Sequence, residues 1–154
     1  MAIYQIVKEG DPVLRENAIE IKEITPSVIR LLDNLKDTLD STSNGVGLAA
    51  PQIGISKRAA IVHTEDEGLF EMLNPVIFSA DGEEEDWEGC LSVPGTEGRV
   101  VRASKIKVRY MDRTGRQVEL FAQGFLARVI QHETDHLNGI LYIDRAQVVN
   151  RNPQ

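Results

Sequence analysis

Two of the three histidines in this chain stand one helical turn apart, in His132-Glu133-Thr134-Asp135-His136. Side chains at i and i+4 of a helix are neighbours, with Cβ atoms about 5–6 Å apart. Two imidazole nitrogens at that spacing can converge on one ion, at about 2 Å each. Glu133, beside the first histidine, can reach a water molecule there without binding the ion. That is the general-base arrangement of His-Glu-x-x-His metallohydrolases. The bland alternative is a pair of satisfied core histidines with a salt-bridged glutamate. On a helix of 3.6 residues per turn, Phe125, Leu126, Val129, Ile130 and Leu137 gather on one side, with Glu133 inside that sector and His132 and His136 at its margin. Polar groups aimed at a core are costly unless something satisfies them, so the metal is the preferred reading. Asp135 falls on the opposite, outer face and reads as structural.

A catalytic metal site usually takes a third protein ligand. His63 lies in an ordinary strand pattern and reads as a packing or surface residue. Cys90, in "WEGCLSVPG", is better placed, because Gly89 removes bulk beside the thiol and a proline ends the segment. A thiolate is a strong ligand for zinc or ferrous iron. A lone cysteine can equally be a small buried hydrophobe or a nucleophile. A further segment, "NGVGLAAPQIG" from Asn44 to Gly54, is built of small residues that let another backbone come close. Its Gln52 offers an uncharged amide able to donate to a substrate oxygen. The alternative is a plain glycine-rich connection; the spacing is not that of a phosphate-binding loop.

The elements that must hold these residues are legible from pattern. Asp11-Pro12 and Thr25-Pro26 look like helix caps followed by proline at the first helical position. "DPVLREN" reads as a short helix. Val28, Leu31, Leu32, Leu35 and Leu39 form one apolar face of a longer helix that ends near Ser41. "KRAAIVHT" reads as a strand, and "LFEMLNPVIFSA" as strand material in which Asn74-Pro75 interrupts any central ladder. "KIKVRYM", the turn "DRTG" and "RQVELFA" make a hairpin. Glu83–Asp86 reads as a solvated acidic loop. Gly124 precedes a last helix over roughly 125–138, which Asn138-Gly139 terminates. "ILYID" reads as a short closing strand. The expected fold is α+β, with antiparallel strands packed around a C-terminal helix that carries the His-Glu-x-x-His motif. Residues 1–145 are expected to form a single catalytic metallohydrolase domain, and 146–154 a polar, frayed tail.

Composition bounds the function classes. The chain has 154 residues, 42% hydrophobic and 27% charged, enough for one domain with a real core. A net charge of −7 argues against direct nucleic-acid binding, which needs clustered Lys and Arg. No stretch approaches a membrane span. One cysteine excludes an intramolecular disulfide, and no secretory signal precedes the first elements, so the expected location is the cytoplasm.

In order, "GVGLAAPQ", "EGCLS" and "QHETDHLNG" resemble the three signature motifs of the peptide deformylases, spread from Gly45 to Gly139. "DPVLR" near the N-terminus is similar to that family as well. The resemblance implies one divalent metal held by Cys90, His132 and His136, with Fe²⁺ the usual ion and Zn²⁺, Ni²⁺ or Co²⁺ as possible occupants. It implies that Glu133 is the general base and acid, that the Gln52 amide and the Leu91 backbone N–H stabilise an oxyanion, and that Gly45 and Gly47 lie near the substrate. The implied reaction removes the N-formyl group from N-formylmethionine at the start of newly made polypeptides and releases formate. Glu133 would take a proton from water, hydroxide would attack the formyl carbon, and Glu133 would return the proton to the departing amine. Leu126, Val129 and Trp87 are candidates for the wall of a methionine pocket, with plain core packing as the alternative.

The chain departs from the pattern in two places. Many members carry a basic residue after "SVPG", and Glu97 stands in its place here; if that residue helps hold the substrate backbone, weaker peptide affinity is expected. The chain stops at Gln154, where many bacterial members continue into a longer helix, so the ribosome-proximal action implied by the family is not expected to use that helix. Three other readings stay open at this stage: an endopeptidase with a different third ligand, a hydrolase using Cys90 as nucleophile, and an inactive metal-binding module.

Overall fold

In a computed structural model, which describes residues 2–151, the first long helix starts where its cap requires. The Thr25 hydroxyl accepts the Val28 N–H at 3.3 Å, and Pro26 takes the first turn, where no donor is needed. Helix α1 (Pro26–Asp40) buries Val28, Leu31, Leu32, Leu35 and Leu39. Each such burial is worth roughly 1.5–3 kcal/mol.

Eight strands follow or interleave: β1 (Gly47–Ala49), β2 (Ala59–Thr64), β3 (Gly68–Asp81), β4 (Glu84–Cys90), β5 (Val93–Arg102), β6 (Lys105–Met111), β7 (Gln117–Gln123) and β8 (Val148–Arg151). They form a five-stranded sheet in the order β1-β2-β3-β6-β7 and a three-stranded sheet in the order β4-β5-β8. Every pairing within them is antiparallel. Between β7 and β8 come α2 (Gly124–Leu137) and α3 (Tyr142–Arg145). The chain is thus mixed α/β with antiparallel sheets.

Strand β2 shows what holds the layers together. Its side chains alternate between faces, and both faces are buried. Ala59 and Ile61 join the core under α1, while Ala60 and Val62 join the core under α2. The five-stranded sheet therefore lies between the two long helices. A 3₁₀ turn (Ala50–Ile53) leads away from β1 and carries Gln52.

Several expectations are corrected. The run read as a solvated loop, Glu83–Asp86, is exposed, but from Glu84 onward it is strand β4 (Glu84–Cys90), which pairs with β5; Glu85 meets Arg99 across the pair. Asn74-Pro75 does interrupt the ladder, with neither residue paired in it, but it does not end the strand. Strand β3 runs through it with a register shift between Leu73 and Val76, as expected of a bulge. Asn74 is left-handed there (φ 53°), and its side chain bonds both the N–H and the carbonyl of Ile21. "ILYID" forms α3 rather than a strand, because Asp144 accepts the Leu141 N–H and caps a helical turn, and Arg15 pins Asp144. The tail after residue 145 is only partly as expected. Val148–Arg151 pairs with β5, and residues 152–154 lie outside the described residues. "DPVLREN" is a short 3₁₀ turn, Pro12–Arg15, capped by Asp11.

Helix α2 is the largest departure from the two-faced helix read from the sequence. Asp135, placed on its outer face by pattern, is buried, and so are the polar side chains of Arg128 and Thr134. The five-stranded sheet covers one side of α2, and β4, β5 and α3 supply partners on the other. Arg128 bonds Glu88 and the carbonyls of Val100 and Glu84, and Asp135 bonds Arg102 and Arg145.

Candidate metal centre and active site

Cys90 ends β4, and a tight turn through Leu91 and Ser92 returns the chain to Val93 of β5. This delivers the thiol to α2. Cys90 Sγ lies 3.4 Å from His136 Nε2. One donor atom from each of Cys90, His132 and His136 lies within 4.8 Å of the others. Zinc–sulfur and zinc–nitrogen bonds of about 2.3 and 2.0 Å at tetrahedral angles put S and N about 3.5 Å apart, so the observed separation suits a shared ion. His63 is exposed on β2 and takes no part.

The surroundings of His132 decide which nitrogen it presents. Its Nδ1 is 2.8 Å from Glu88 Oε1, which leaves Nε2 for the cluster. Glu88 in turn takes two bonds from Arg102, at 2.8 and 2.9 Å, and one from Arg128, at 2.6 Å. Burial alone would raise the Glu88 carboxyl, but the bonds from Arg102 and His132 hold it well below the usual carboxylate range. Burial lowers the His132 imidazole, whereas Cys90 and Glu88 raise it, to about 10. Uptake of a cation there must displace that proton. Burial, with His132 beside it, holds His136 well below its usual value.

Glu133 is buried, and burial pushes its carboxyl up to about 7 against the pull of His132. Among the described residues, its Oε1 has no hydrogen-bond partner, and neither has His136 Nδ1. Buried polar atoms are normally satisfied, so this donor set is incomplete without a guest. Gly47 shows how tightly the carboxylate is held: a Cβ there would come within 2.5 Å of Glu133 Oε2. Gln52 Oε1 accepts the Ala49 N–H at 2.9 Å, and its Nε2 lies 3.2 Å from Ser92 Oγ and 3.6 Å from Cys90 Sγ. The amide is therefore both a brace for its own turn and a donor beside the sulfur.

A cleft of about 390 Å³ opens over this cluster. Gly45, Gly47, Gln52, Cys90, Leu91, His132 and Glu133 all border it, joined by Trp87, Phe125 and Val129. Leu126 instead packs in the core beneath the five-stranded sheet. The cleft runs between two strand edges, since β1 ends the larger sheet and β4 ends the smaller one. Glu97 is exposed on β5, paired with Asn150 of β8.

Glu88, Arg102 and Arg128 went unrecognised in the sequence. A signal existed: Glu88 and Cys90, two apart in a strand, share a face. It was hidden by the acidic run that reads as a loop.

An antiparallel α+β scaffold with a Cys/His/His donor set and a buried carboxylate beside it has the make-up of a metal-dependent hydrolase. The chain belongs to the polypeptide deformylase family, whose model matches residues 3–152. It is 55% identical to the peptide deformylase of Carboxydothermus hydrogenoformans over 98% of each chain. The crystal structure of peptide deformylase from Thermotoga maritima superposes with a TM-score of 0.92 at 39% identity, covering 96% of this chain and 100% of that one. A class I type b peptide deformylase from Acinetobacter baumannii, in a Met-Ala-Ser bound crystal structure, superposes at 0.90 with 37% identity, covering 94% of this chain and all of the other. Membership makes this chain a hydrolase that removes the N-formyl group from the start of new polypeptides.

Proposed function

We propose that Cys90, His132 and His136 hold one divalent ion, with Fe²⁺ the favoured occupant, and that Glu133, Gln52 and Leu91 carry out deformylation of N-formylmethionine beside it. The observation that carries this reading is the convergence of the three donor atoms beside a cleft that a buried carboxylate borders, its Oε1 without a hydrogen-bond partner among the described residues. When bound, such an ion supplies positive charge that lowers the pKa of water and stabilises a developing oxyanion.

The chain's own groups do the rest. Glu133 Oε1, free of other partners, accepts a proton from the attacking water and delivers it to the amine that leaves. The Gln52 Nε2–H and the Leu91 N–H donate to the formyl oxygen as it gains charge. Gly45 and Gly47 let the substrate backbone approach without meeting side chains. The extended peptide lies between the edges of β1 and β4, the mode by which strand edges commonly receive peptides. The Met-Ala-Ser complex of the Acinetobacter baumannii relative supports a methionine-first peptide as occupant. Phe125, Val129 and Trp87 give the cleft an apolar wall for the methionine side chain. Residues 1–145 act as one catalytic unit, onto which β8 closes the smaller sheet. Action in the cytoplasm, near the ribosome, belongs to the same reading; among the described residues no helix is long and apolar enough to cross a membrane.

The test is metal analysis of anaerobically purified protein, with formate release from formyl-Met-Ala measured on the same samples. About one ion per chain is expected, and Cys90→Ser should lose both metal and activity. Iron-loaded protein should decay in air faster than zinc-loaded protein, because zinc has no redox chemistry. Full metal content in Cys90→Ser would remove the third ligand. Formate release that survives complete metal removal would favour Cys90 as a nucleophile instead.

A further inference from the structure

Helix α3 contributes a residue to the metal centre that neither the motifs nor the reaction uses. The Tyr142 ring is stacked on the His132 ring, with centroids 5.9 Å apart and planes inclined by 22°. Tyr142 is itself 1% exposed, and its hydroxyl donates to the Thr96 carbonyl at 3.0 Å. One edge of the ring has a seat as well. A Cβ on Gly98 would stand 3.0 Å from Tyr142 Cε2 and 3.3 Å from Cδ2, so only glycine lets the ring lie on the β5 backbone. Gly98 pairs directly with Glu88, the residue that fixes His132 Nδ1.

We infer that Tyr142 is a positioning residue for His132, its ring setting the plane of that imidazole while Glu88 sets its rotation. A hydrogen bond at Nδ1 fixes one atom of the imidazole but leaves the ring free to tip about that contact. A flat, anchored surface against one face removes the tipping. An offset aromatic pair at this separation is within the attractive range. Because Tyr142 is enclosed in its own core cluster and seated along one edge against Gly98, it cannot follow the imidazole even without its hydroxyl bond. The result is that Nε2 stays on the line toward Cys90 and His136. This inference rests on the metal reading proposed above.

The test uses full-length protein loaded with Co²⁺ and follows ion release to excess EDTA by the visible spectrum. Three variants are compared with the unaltered chain. Tyr142→Leu removes the ring. Tyr142→Phe keeps the ring and loses the hydroxyl bond. Leu14→Ala opens the same small core cluster without removing the ring stacked on His132. Groups that orient metal ligands typically contribute 10–100-fold to metal affinity. Tyr142→Leu should therefore release Co²⁺ roughly 10–100-fold faster, with an altered cobalt spectrum, while Tyr142→Phe and Leu14→Ala stay within about threefold of the unaltered chain. Release from Tyr142→Leu at the unaltered rate overturns the inference. So does equally fast release from Leu14→Ala, which would mean general loosening, or from Tyr142→Phe, which would assign the effect to the hydroxyl. If the unaltered chain binds no cobalt, the metal reading itself fails and this inference with it. Tight binding by the unaltered chain together with unchanged Tyr142→Leu overturns this inference alone.

Discussion

Glu133 and Gln52 border the same cleft, and separate substitutions test their proposed roles. Glu133 makes no bond through Oε1 and is not among the three clustered donors. Glu133→Ala should keep its metal and lose formate release by about 10²–10⁴, the usual contribution of a positioned acid–base group. An active, metal-loaded variant would sink the proton assignment. Gln52 has two duties that an alanine would abolish together, since Oε1 braces Ala49 while Nε2 points at the centre. Gln52→Glu separates them, because a carboxylate still accepts from Ala49 but cannot donate when ionised. Losing one oxyanion donor typically costs about 10²–10³ in kcat. That loss is expected here, alongside a lower melting temperature from the buried carboxylate, so kcat is read on protein shown to be folded and metal-loaded. A near-normal kcat in the folded, metal-loaded variant would leave Gln52 with the bracing role only. Gly47 is explained at this scale too, by the carboxylate that occupies the space of its missing side chain.

At the scale of elements, the centre depends on a charged layer between α2, α3 and the smaller sheet. Arg102 on β5 joins Glu88 on β4 to Asp135 on α2, and Asp135 continues to Arg145 on α3. Arg102 and Glu88 are nearly inaccessible to water. Removing one member of a buried ion pair leaves its partner uncompensated, at a cost of about 3–5 kcal/mol. Arg102→Met should therefore lower unfolding free energy by that amount in urea titration and weaken metal retention through Glu88 and His132. A loss under 1 kcal/mol with unchanged metal content would mean that Arg128 alone suffices to hold Glu88. The same layer accounts for the burial of Asp135, which the helical period assigned to an outer face.

For the whole molecule, the ion would be a structural link as well as a reagent, because its three donors come from β4 and α2, which belong to different layers. A ligand that binds only the folded chain stabilises it by RT ln(1 + [L]/Kd), about 4 kcal/mol at a thousandfold excess over Kd. For a chain of this size each kcal/mol moves the midpoint by roughly 2–4 °C. Chelation should thus lower the melting temperature by on the order of 10 °C, and Zn²⁺ should restore it. Identical melting curves with and without chelator would show that the ion adds nothing to the fold.

The sequence by itself determined whatever repeats along one element or occurs as a local pattern. The apolar face of α1, its Thr25 cap, the β6–β7 hairpin, and the pairing of His132 with His136 are read from spacing because each follows from the period of one helix or strand. The three motifs together were specific enough to carry the family. Tertiary structure alone decided what depends on residues distant in the chain. The acids at Glu84–Asp86 look like a loop until β5 pairs with them, although their side chains stay exposed. Tyr142 looks like strand material until Asp144 caps a turn of helix and Gly98 receives its ring. Glu88 reaches His132 only when β4 meets α2. Polarity read locally predicts exposure, but a buried charge is stabilised by partners that the fold supplies from elsewhere.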